Sequence, residues 1–306
     1  MKRIFLSLIL TAATLPWATA VLAQQDPSEA PATRPVNPVS ASQKLIFVPD
    51  SLKPYDFNKD DERWCWRHSA QTQNIVYFWE KPFGDNPQNP PSLEGKPMKF
   101  DLGNLQTQVE RFYRFFRDTL KFSLPGSICD QYKMMVMVIY SLEGTAYGGT
   151  YDDFIGALWV TPNRIQDQKL NCLAHELGHS FQLQIMADKT GEAWGGSGFF
   201  EMTSQWMLWR VNPDWLTDEK FHFDAFRQLT HKGYLHLDNI YHSPYVIEWW
   251  AEKHGLESIA QLYREGKVGE DPGVTYKRKY KMSQKQINDE MFDCYRHLVD
   301  FDYNYA

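Results

Sequence analysis

The pattern of apolar and polar residues divides the chain into a strand-rich first part and a helix-rich second part. Continuous apolar runs at residues 75–79, 134–140 and 155–161 are typical of buried strands. Between the first two runs, apolar residues recur every three or four positions over residues 101–122, which predicts an amphipathic helix. The glycine-rich stretch 144–150 is predicted to be a loop.

After this point the helical period dominates the chain. Four segments carry it, namely 168–187, 199–211, 245–254 and 283–300. A turn containing four glycines separates the first two segments and is long enough to reverse the chain direction. Strands before helices predict an α+β fold. We expect an N-terminal lobe of about residues 44–187, with a twisted sheet, and a mainly helical C-terminal lobe of about residues 188–306.

The beginning of the chain has a different composition. Two basic residues precede an apolar run that ends in small residues, so residues 1–23 predict a signal peptide. Residues 24–43 are rich in Gln, Pro, Ser and Ala and have few apolar side chains, which predicts a disordered linker. The protein is therefore expected to be exported to the periplasm or the cell exterior, with residues 44–306 forming the folded domain.

Charge and cysteine content narrow the class of protein further. The formal net charge is −6, and removal of Lys2 and Arg3 with the signal peptide leaves −8. This balance disfavours a nucleic-acid partner, and no apolar run is long enough to predict insertion into a membrane. In an exported chain, four cysteines predict up to two disulfides without fixing their pairing. They are Cys65, Cys129, Cys172 and Cys294.

The chemically most informative stretch is HELGH at residues 175–179, which fits the pattern HExxH. On a helix, residues four apart lie on the same side, so His175 and His179 would point in one direction. Zinc accepts imidazole nitrogen, and a catalytic zinc keeps three protein ligands and one open position. Glu176, beside the first ligand, could take a proton from a zinc-bound water and return it to the leaving group.

The third ligand is expected from Glu201, which follows the glycine-rich turn and lies among apolar residues. An unpaired carboxylate in such surroundings is costly, and a metal ion would be its partner. Glu192 and Asp188 are the competing candidates, but both belong to the polar turn. Together with His175 and His179, Glu201 predicts a site for one Zn²⁺ per chain.

At these residues the sequence resembles the gluzincin group of zinc metallopeptidases, in which HExxH is followed by a glutamate on a downstream helix. Over most of the folded region it is also similar to an exported bacterial family described as a domain of unknown function. The landmarks are NIVYFWE (74–80), GALWVTP (156–162), AHELGHSFQ (174–182), GFFEMTSQWM (198–207) and SPYVIEWWAEKHGLESIAQLYRE (243–265). The resemblance implies a zincin fold and hydrolysis of peptide bonds in a protein or peptide substrate.

The resemblance also implies where the substrate lies. In zincins the strand before the motif helix pairs with extended substrate, and residues 155–159 are the candidate here, unless that strand is a covered edge. A peptidase needs a donor for the developing oxyanion. Tyr241, His242 and Tyr245 are candidates, of which we favour His242 and Tyr245. The chain departs from many gluzincins at Phe200, where they have an asparagine.

Two other functions use the same metal site. The chain has 11 Trp and 16 Tyr, which suggests a zinc-containing protein that binds glycans or proteins without peptidase activity. Most of these aromatic residues have strand or helix spacing and fit a hydrophobic core equally well. The second alternative is a glycopeptidase, which would apply the same chemistry to a glycosylated protein substrate.

Overall fold

The computed structural model describes residues 43–303, which contain five strands and ten α-helices. The strands are β1 (Ser69–Gln71), β2 (Ile75–Trp79), β3 (Met134–Val138), β4 (Ala146–Tyr151) and β5 (Ile155–Val160). The helices are α1 (Leu102–Arg114), α2 (Ile128–Gln131), α3 (Asn171–Ala187), α4 (Gly198–Val211), α5 (Trp215–Asp218), α6 (Phe221–Leu229), α7 (Tyr245–His254), α8 (Glu257–Glu265), α9 (Pro272–Lys279) and α10 (Gln284–Asp300). The fold is therefore α+β, as the sequence predicts. The predicted signal peptide and, apart from Gln43, the predicted linker lie outside the described residues.

The five strands form one sheet in the order β1-β2-β3-β5-β4. The three inner strands are parallel, and the two edge strands, β1 and β4, run antiparallel to their neighbours. All residues of β2 and β3 are buried. This burial on both faces explains why these strands are continuous apolar runs in the sequence rather than alternating ones. The predictions of strands at β2, β3 and β5 are confirmed.

The prediction for residues 144–150 is wrong, because most of this stretch forms the edge strand β4. It pairs with β5, with Tyr147 opposite Trp159. Glycine is a poor strand former, so the sequence pattern favours a loop. Gly148 is required for another reason: a Cβ at this position would lie 1.7 Å from the carbonyl oxygen of Glu176. Glycine within a strand often marks such a close approach between two backbones.

Because β4 is the edge strand, the predicted position of the substrate-binding strand must also be corrected. Residues 155–159 belong to β5, which is paired on one side with β3 and on the other with β4. Its backbone groups are therefore used within the sheet and cannot pair with a peptide. The strand with an open side next to the motif helix is β4, so the prediction for residues 155–159 is wrong.

The helix of the HExxH motif, α3, lies between the sheet and α4. On the sheet side, the Ser180 hydroxyl donates to the carbonyl oxygen of Ala157 at 2.9 Å, and Gly156 N donates to Gln184 Oε1 at 2.9 Å. On the other side, a Cβ at Gly178 would lie 2.4 Å from Ser204 Oγ of α4. The glycine of the motif therefore allows α3 and α4 to approach closely.

A polar cap fixes the start of α1, and aromatic contacts pack this helix against α3. Asp101 caps α1 by accepting a hydrogen bond from Asn104 N, and the helix continues as a π-turn over Phe115–Thr119. Tyr113 and Phe116 of this helix contact Phe181 of α3, with ring centroids 5.2 and 5.7 Å apart. The predicted helix over residues 101–122 is confirmed except for its last residues, and α7 and α10 match their predicted bounds closely.

The predicted disulfides are not formed, because all four cysteines are free thiols. Each lies in different surroundings. Cys65 Sγ is 3.3 Å from His68 Nδ1, and Cys294 Sγ is 3.4 Å from the Tyr303 hydroxyl. Cys129 and Cys172 belong to α2 and α3.

Among residues 43–303, no helix has both the length and the apolar character that a membrane crossing requires.

Candidate metal centre

Three side chains from the two central helices meet at one point. His175 and His179 of α3 approach each other with their Nε2 atoms 3.0 Å apart. Glu201 Oε2 of α4 lies 3.2 Å from the first of these atoms and 3.1 Å from the second. In the part of the chain that the structure describes, this is the only group of three or more His, Cys, Asp or Glu residues that could hold a metal ion.

The two helices fix the positions of these three side chains. The four-residue spacing on α3 places the imidazole rings edge to face, with centroids 4.5 Å apart and an interplanar angle of 88°. Glu201 lies in the first turn of α4, which Ser197 caps by accepting a hydrogen bond from Phe200 N. A helix N-terminus stabilises negative charge, so this position suits a carboxylate.

The competing candidates for the third ligand have other partners. Glu192 Oε1 accepts hydrogen bonds from the backbone N–H groups of Ala193 and Trp194. Asp188 Oδ1 accepts from Ile128 N and from the side chain of Gln184. Neither carboxylate belongs to the cluster, whereas Glu201 does.

Two glutamines determine which nitrogen of each imidazole carries the proton. His175 Nδ1 lies 2.8 Å from Gln205 Oε1, and His179 Nδ1 lies 2.9 Å from Gln182 Oε1. The amide nitrogen of each glutamine donates to a backbone carbonyl, at 2.9 and 2.8 Å respectively. Because a carbonyl oxygen only accepts, each glutamine must present its own oxygen to the imidazole. Both Nδ1 atoms therefore donate, and each ring in its neutral form has a lone pair at Nε2.

The centre of the cluster therefore consists of electron-pair donors only. Burial alone would raise the pKa of Glu201, but hydrogen bonds and positive charge from His175 and His179 lower it to about 2 when a proton lies between these groups. Two imidazole lone pairs and one carboxylate oxygen repel one another unless a positive charge lies between them. A proton or a metal ion can supply this charge. The donor set fits a metal ion, and the hydrogen bonds at Nδ1 are those that metal-binding histidines usually make.

Glu176 lies beside the cluster without belonging to it. Its Oε2 accepts a hydrogen bond from Gly148 N of the edge strand at 2.8 Å. Burial raises the pKa of Glu176, and this effect is opposed by His175 when it is protonated and by the Gly148 N–H. The result is a carboxylate whose affinity for a proton is greater than that of an ordinary glutamate and whose direction is set by the edge strand.

Aromatic side chains form two walls of the site. Phe200, at the position where many gluzincins have an asparagine, stacks on His179 with centroids 4.1 Å apart and an interplanar angle of 15°. The Tyr241 ring centroid lies 6.0 Å from that of His175. Burial raises the pKa of Tyr241 to about 12, and the charges of Glu201 and Glu176 act in the same direction. Its hydroxyl therefore keeps its proton at neutral pH and can donate a hydrogen bond.

Of the two favoured oxyanion donors, Tyr245 lies in the core and His242 contacts another histidine. Tyr245 is 1% exposed, and its ring packs against Phe226 and Phe301 with centroids 4.7 and 5.5 Å apart. The reason is that Tyr245 begins α7 on the face that is buried in the core. A substrate cannot reach it, so Tyr245 is replaced by Tyr241 as a candidate. The ring of His242 contacts His222, with the two Nδ1 atoms 2.6 Å apart.

The fold and the site define this chain as an α+β protein with a two-histidine, one-carboxylate centre that could hold a metal ion. The chain belongs to DUF6055, a family of unknown function, whose sequence model matches residues 38–306. No curated protein and no solved structure matches the chain.

Proposed function

We propose that this protein is an exported, zincin-like zinc metallopeptidase that hydrolyses peptide bonds in protein or peptide substrates. The observation that carries the proposal is the meeting of His175, His179 and Glu201 at one point. Glu176 lies beside this point, held by the edge strand. A carboxylate next to a three-ligand metal site is the arrangement used to activate water.

The spacing of the ligand atoms supports zinc as the metal. Zinc binds nitrogen and oxygen at 2.0–2.2 Å, and two ligands of a tetrahedral ion at these distances are about 3.3–3.6 Å apart, slightly more than in this cluster. The three separations in the cluster are 3.0, 3.1 and 3.2 Å. Three protein ligands leave the fourth position open, as in catalytic sites. A zinc ion bound there would supply a Lewis acid that polarises water and the carbonyl group of a substrate.

The open side of β4 suits an extended peptide. Thr145 O accepts a hydrogen bond from Thr161 N of the neighbouring segment, so Thr145 faces β5. Because backbone groups alternate along an antiparallel strand, those of Ala146, Gly148 and Thr150 point away from β5. The Gly148 N–H is already bonded to Glu176. A peptide added to this edge would therefore pair with the remaining outward groups and lie beside Glu176.

Two side chains then have distinct tasks during hydrolysis. Glu176 accepts a proton from the attacking water and returns it to the amine that leaves when the carbon–nitrogen bond breaks. The Tyr241 hydroxyl donates a hydrogen bond to the carbonyl oxygen of the substrate, on which negative charge develops. Its high pKa keeps this donor protonated throughout the neutral range.

Replacement of this donor gives the first test. We expect Tyr241→Phe to lower kcat by roughly 100-fold, the usual effect of losing one oxyanion donor. The phenyl ring keeps the wall beside His175, so zinc content and the melting temperature should stay at their wild-type values. Tyr280→Phe is a matched control, because this tyrosine stacks on His254 in the C-terminal region. An unchanged kcat in Tyr241→Phe would remove Tyr241 from the mechanism.

A glycopeptidase is the second candidate, favoured by two neighbouring aromatic residues on β4 and β5. Tyr147 of β4 is 59% exposed, and its ring lies 5.7 Å from that of Trp159. Gly149 makes room for this pair, since a Cβ there would lie 2.9 Å from the Tyr147 ring. Exposed aromatic faces next to a cleft can stack on sugar rings. Most tryptophans in the described part of the chain are buried in the core, which gives less support to a protein that only binds glycans.

The test of the proposed function is a cleavage assay on the mature protein. Unfolded proteins and a matched glycoprotein, with and without its glycans, are incubated with the enzyme, and new peptide termini are identified by mass spectrometry. We expect cleavage that a chelator removes and that zinc restores. Faster cleavage of the glycosylated form would favour the glycopeptidase. No cleavage of any substrate by zinc-loaded protein would reject the peptidase.

A further inference from the structure

A second group of titratable side chains adjoins Tyr241 in the chain and takes no part in the mechanism above. His222 of α6 stands between Glu219 and His242. Its Nδ1 is 2.6 Å from His242 Nδ1, and its Nε2 is 3.4 Å from Glu219 Oε2. These three residues form a chain that leads from a carboxylate, through one imidazole, to a second imidazole that is partly exposed.

The carboxylate at the inner end determines the proton positions. Glu219 accepts hydrogen bonds from Trp215 Nε1 at 2.9 Å and from Asn171 Nδ2 at 3.1 Å. Burial alone would raise the pKa of Glu219, but the hydrogen bonds from its neighbours, led by that of His222, lower it. An ionised carboxylate only accepts, so His222 carries its proton at Nε2 and points it at Glu219.

The proton on Nε2 of His222 also determines which histidine donates between the two Nδ1 atoms. With its proton at Nε2, a neutral His222 has a lone pair at Nδ1. The separation of 2.6 Å between the two Nδ1 atoms requires one proton between them, and only His242 can supply it. With a neutral His222 protonated at Nε2, His242 is therefore the Nδ1–H tautomer and has a lone pair at Nε2. Burial, with His222 as the lesser cause, lowers the pKa of His242, which favours this neutral form.

Both ends of this chain are attached to the elements that carry the metal site. His242 directly follows Tyr241, whose carbonyl oxygen accepts from the same Gln205 that orients His175. At the other end, Asn171 is the first residue of α3 and lies one turn before His175. The histidine pair is thus held at the border of the site by the same scaffold that positions the ligands.

Few other titratable groups act on this pair. Glu219 and His222 face His242 from the segment after α5 and from α6. Tyr241 precedes it in the chain and keeps its hydroxyl proton. On α3, Cys172 is affected by Glu219, and burial raises the pKa of this thiol to about 12, so it stays neutral. The charge of the pair at neutral pH therefore depends on its own two rings.

We propose that His242, beside Tyr241, acts as a hydrogen-bond acceptor whose Nε2 binds a backbone N–H of the peptide substrate, and that His222 and Glu219 are its positioning residues. This inference rests on the proposed function and reverses the role that the sequence suggests for His242, since a donor to an oxyanion would need a proton at Nε2. It also identifies the substrate group that is recognised, namely an amide N–H rather than a carbonyl.

The first experiment reads the tautomers directly and needs no activity. Nitrogen-15 NMR of the histidine-labelled full chain at pH 7.5 should show His222 protonated at Nε2 and His242 protonated at Nδ1. His222→Leu should abolish the preference of His242, and His222→Asn, whose amide oxygen lies near the position of Nδ1, should restore it. His242 protonated at Nε2 in the wild type would overturn the inference, even if the protein proves to be a peptidase.

The second experiment measures recognition with a fluorogenic peptide that the enzyme cleaves. N-methylation of each amide in turn should find one position where KM rises by about three- to tenfold, the effect of losing a neutral hydrogen bond. His222→Leu should raise KM of the parent peptide by a similar factor, leave kcat nearly unchanged and cancel the penalty for the methyl group. His222→Asn should recover most of the affinity. A methyl penalty that persists in His222→Leu would contradict the proposal.

The pH dependence distinguishes an acceptor from a donor. The lone pair at Nε2 exists above the lowered pKa of His242 and is lost as the pH falls through it, so KM should rise on the acid side. If His242 were instead a protonated donor, it would lose its proton as the pH rises, and kcat would fall on the alkaline side. The second pattern would overturn the inference. Absence of any cleavage would reject the proposed function and with it the substrate contact of His242, while the NMR result would still test the tautomer on which the inference depends.

Discussion

Glu176→Gln is expected to abolish peptide hydrolysis while the protein keeps its metal. An amide has the size of a carboxylate but accepts no proton at neutral pH, so the attacking water loses its base. We expect kcat to fall by about 1,000-fold, within the range found for a positioned general base. The measurement is kcat on a cleaved peptide, together with zinc per chain by elemental analysis of the same samples.

The geometry explains why zinc should remain bound in this variant. Glu176 points to Gly148 N and is not among the three ligand atoms. Glu257→Gln on α8 is a suitable control, because its exposed carboxylate accepts a hydrogen bond from Gln261 of the same helix. Wild-type activity in Glu176→Gln would reject the assignment of this residue as the base. Loss of zinc from the variant would show that Glu176 belongs to the metal site itself.

The sequence is sufficient to predict the strands and helices whose pattern reflects burial. Residues 75–79 and 134–138 are buried on both faces of the sheet, and such strands appear as unbroken apolar runs. The strand at residues 146–151 is missed because it contains two glycines: Gly148 allows close contact with α3, and Gly149 makes room for the rings of Tyr147 and Trp159. The position of this strand depends on the contact between Gly148 and Glu176, which are 28 residues apart in the sequence. A local sequence pattern does not reveal such a contact.

The site is predictable to a similar extent. His175 and His179 follow from helical spacing, and Glu201 follows from a carboxylate in an apolar sequence, because both signals are local. The structure brings these three residues together. The neighbouring residues that complete the site are not local. Gln182 and Gln205 fix the imidazole tautomers through carbonyl groups that lie 18 and 36 residues away in the sequence. Tyr241 approaches His175 because of a turn in the C-terminal part, whose course the sequence does not predict.

Glu201→Ala is expected to remove most of the bound zinc. Loss of a residue that hydrogen-bonds to a metal ligand weakens metal binding by about 10- to 100-fold. Loss of a ligand itself should therefore weaken zinc binding by more than roughly 100-fold. Wild-type protein should retain about one zinc per chain after dialysis against buffer, and the variant clearly less. Zinc should also raise the melting temperature of the wild type, since an ion that binds only the folded state stabilises it.

Three controls separate loss of a ligand from loss of the fold. Circular dichroism of Glu201→Ala reports folding, and Glu201→Gln keeps the shape of the side chain while removing its charge. Glu192→Ala removes a glutamate that bonds to the backbone of its own turn, and it should keep its zinc. Wild-type zinc content in Glu201→Ala would exclude this residue as the third ligand. A folded wild-type protein that binds no supplied zinc would reject the enzyme, and protons shared between His175, His179 and Glu201 would then provide the positive charge that the centre requires.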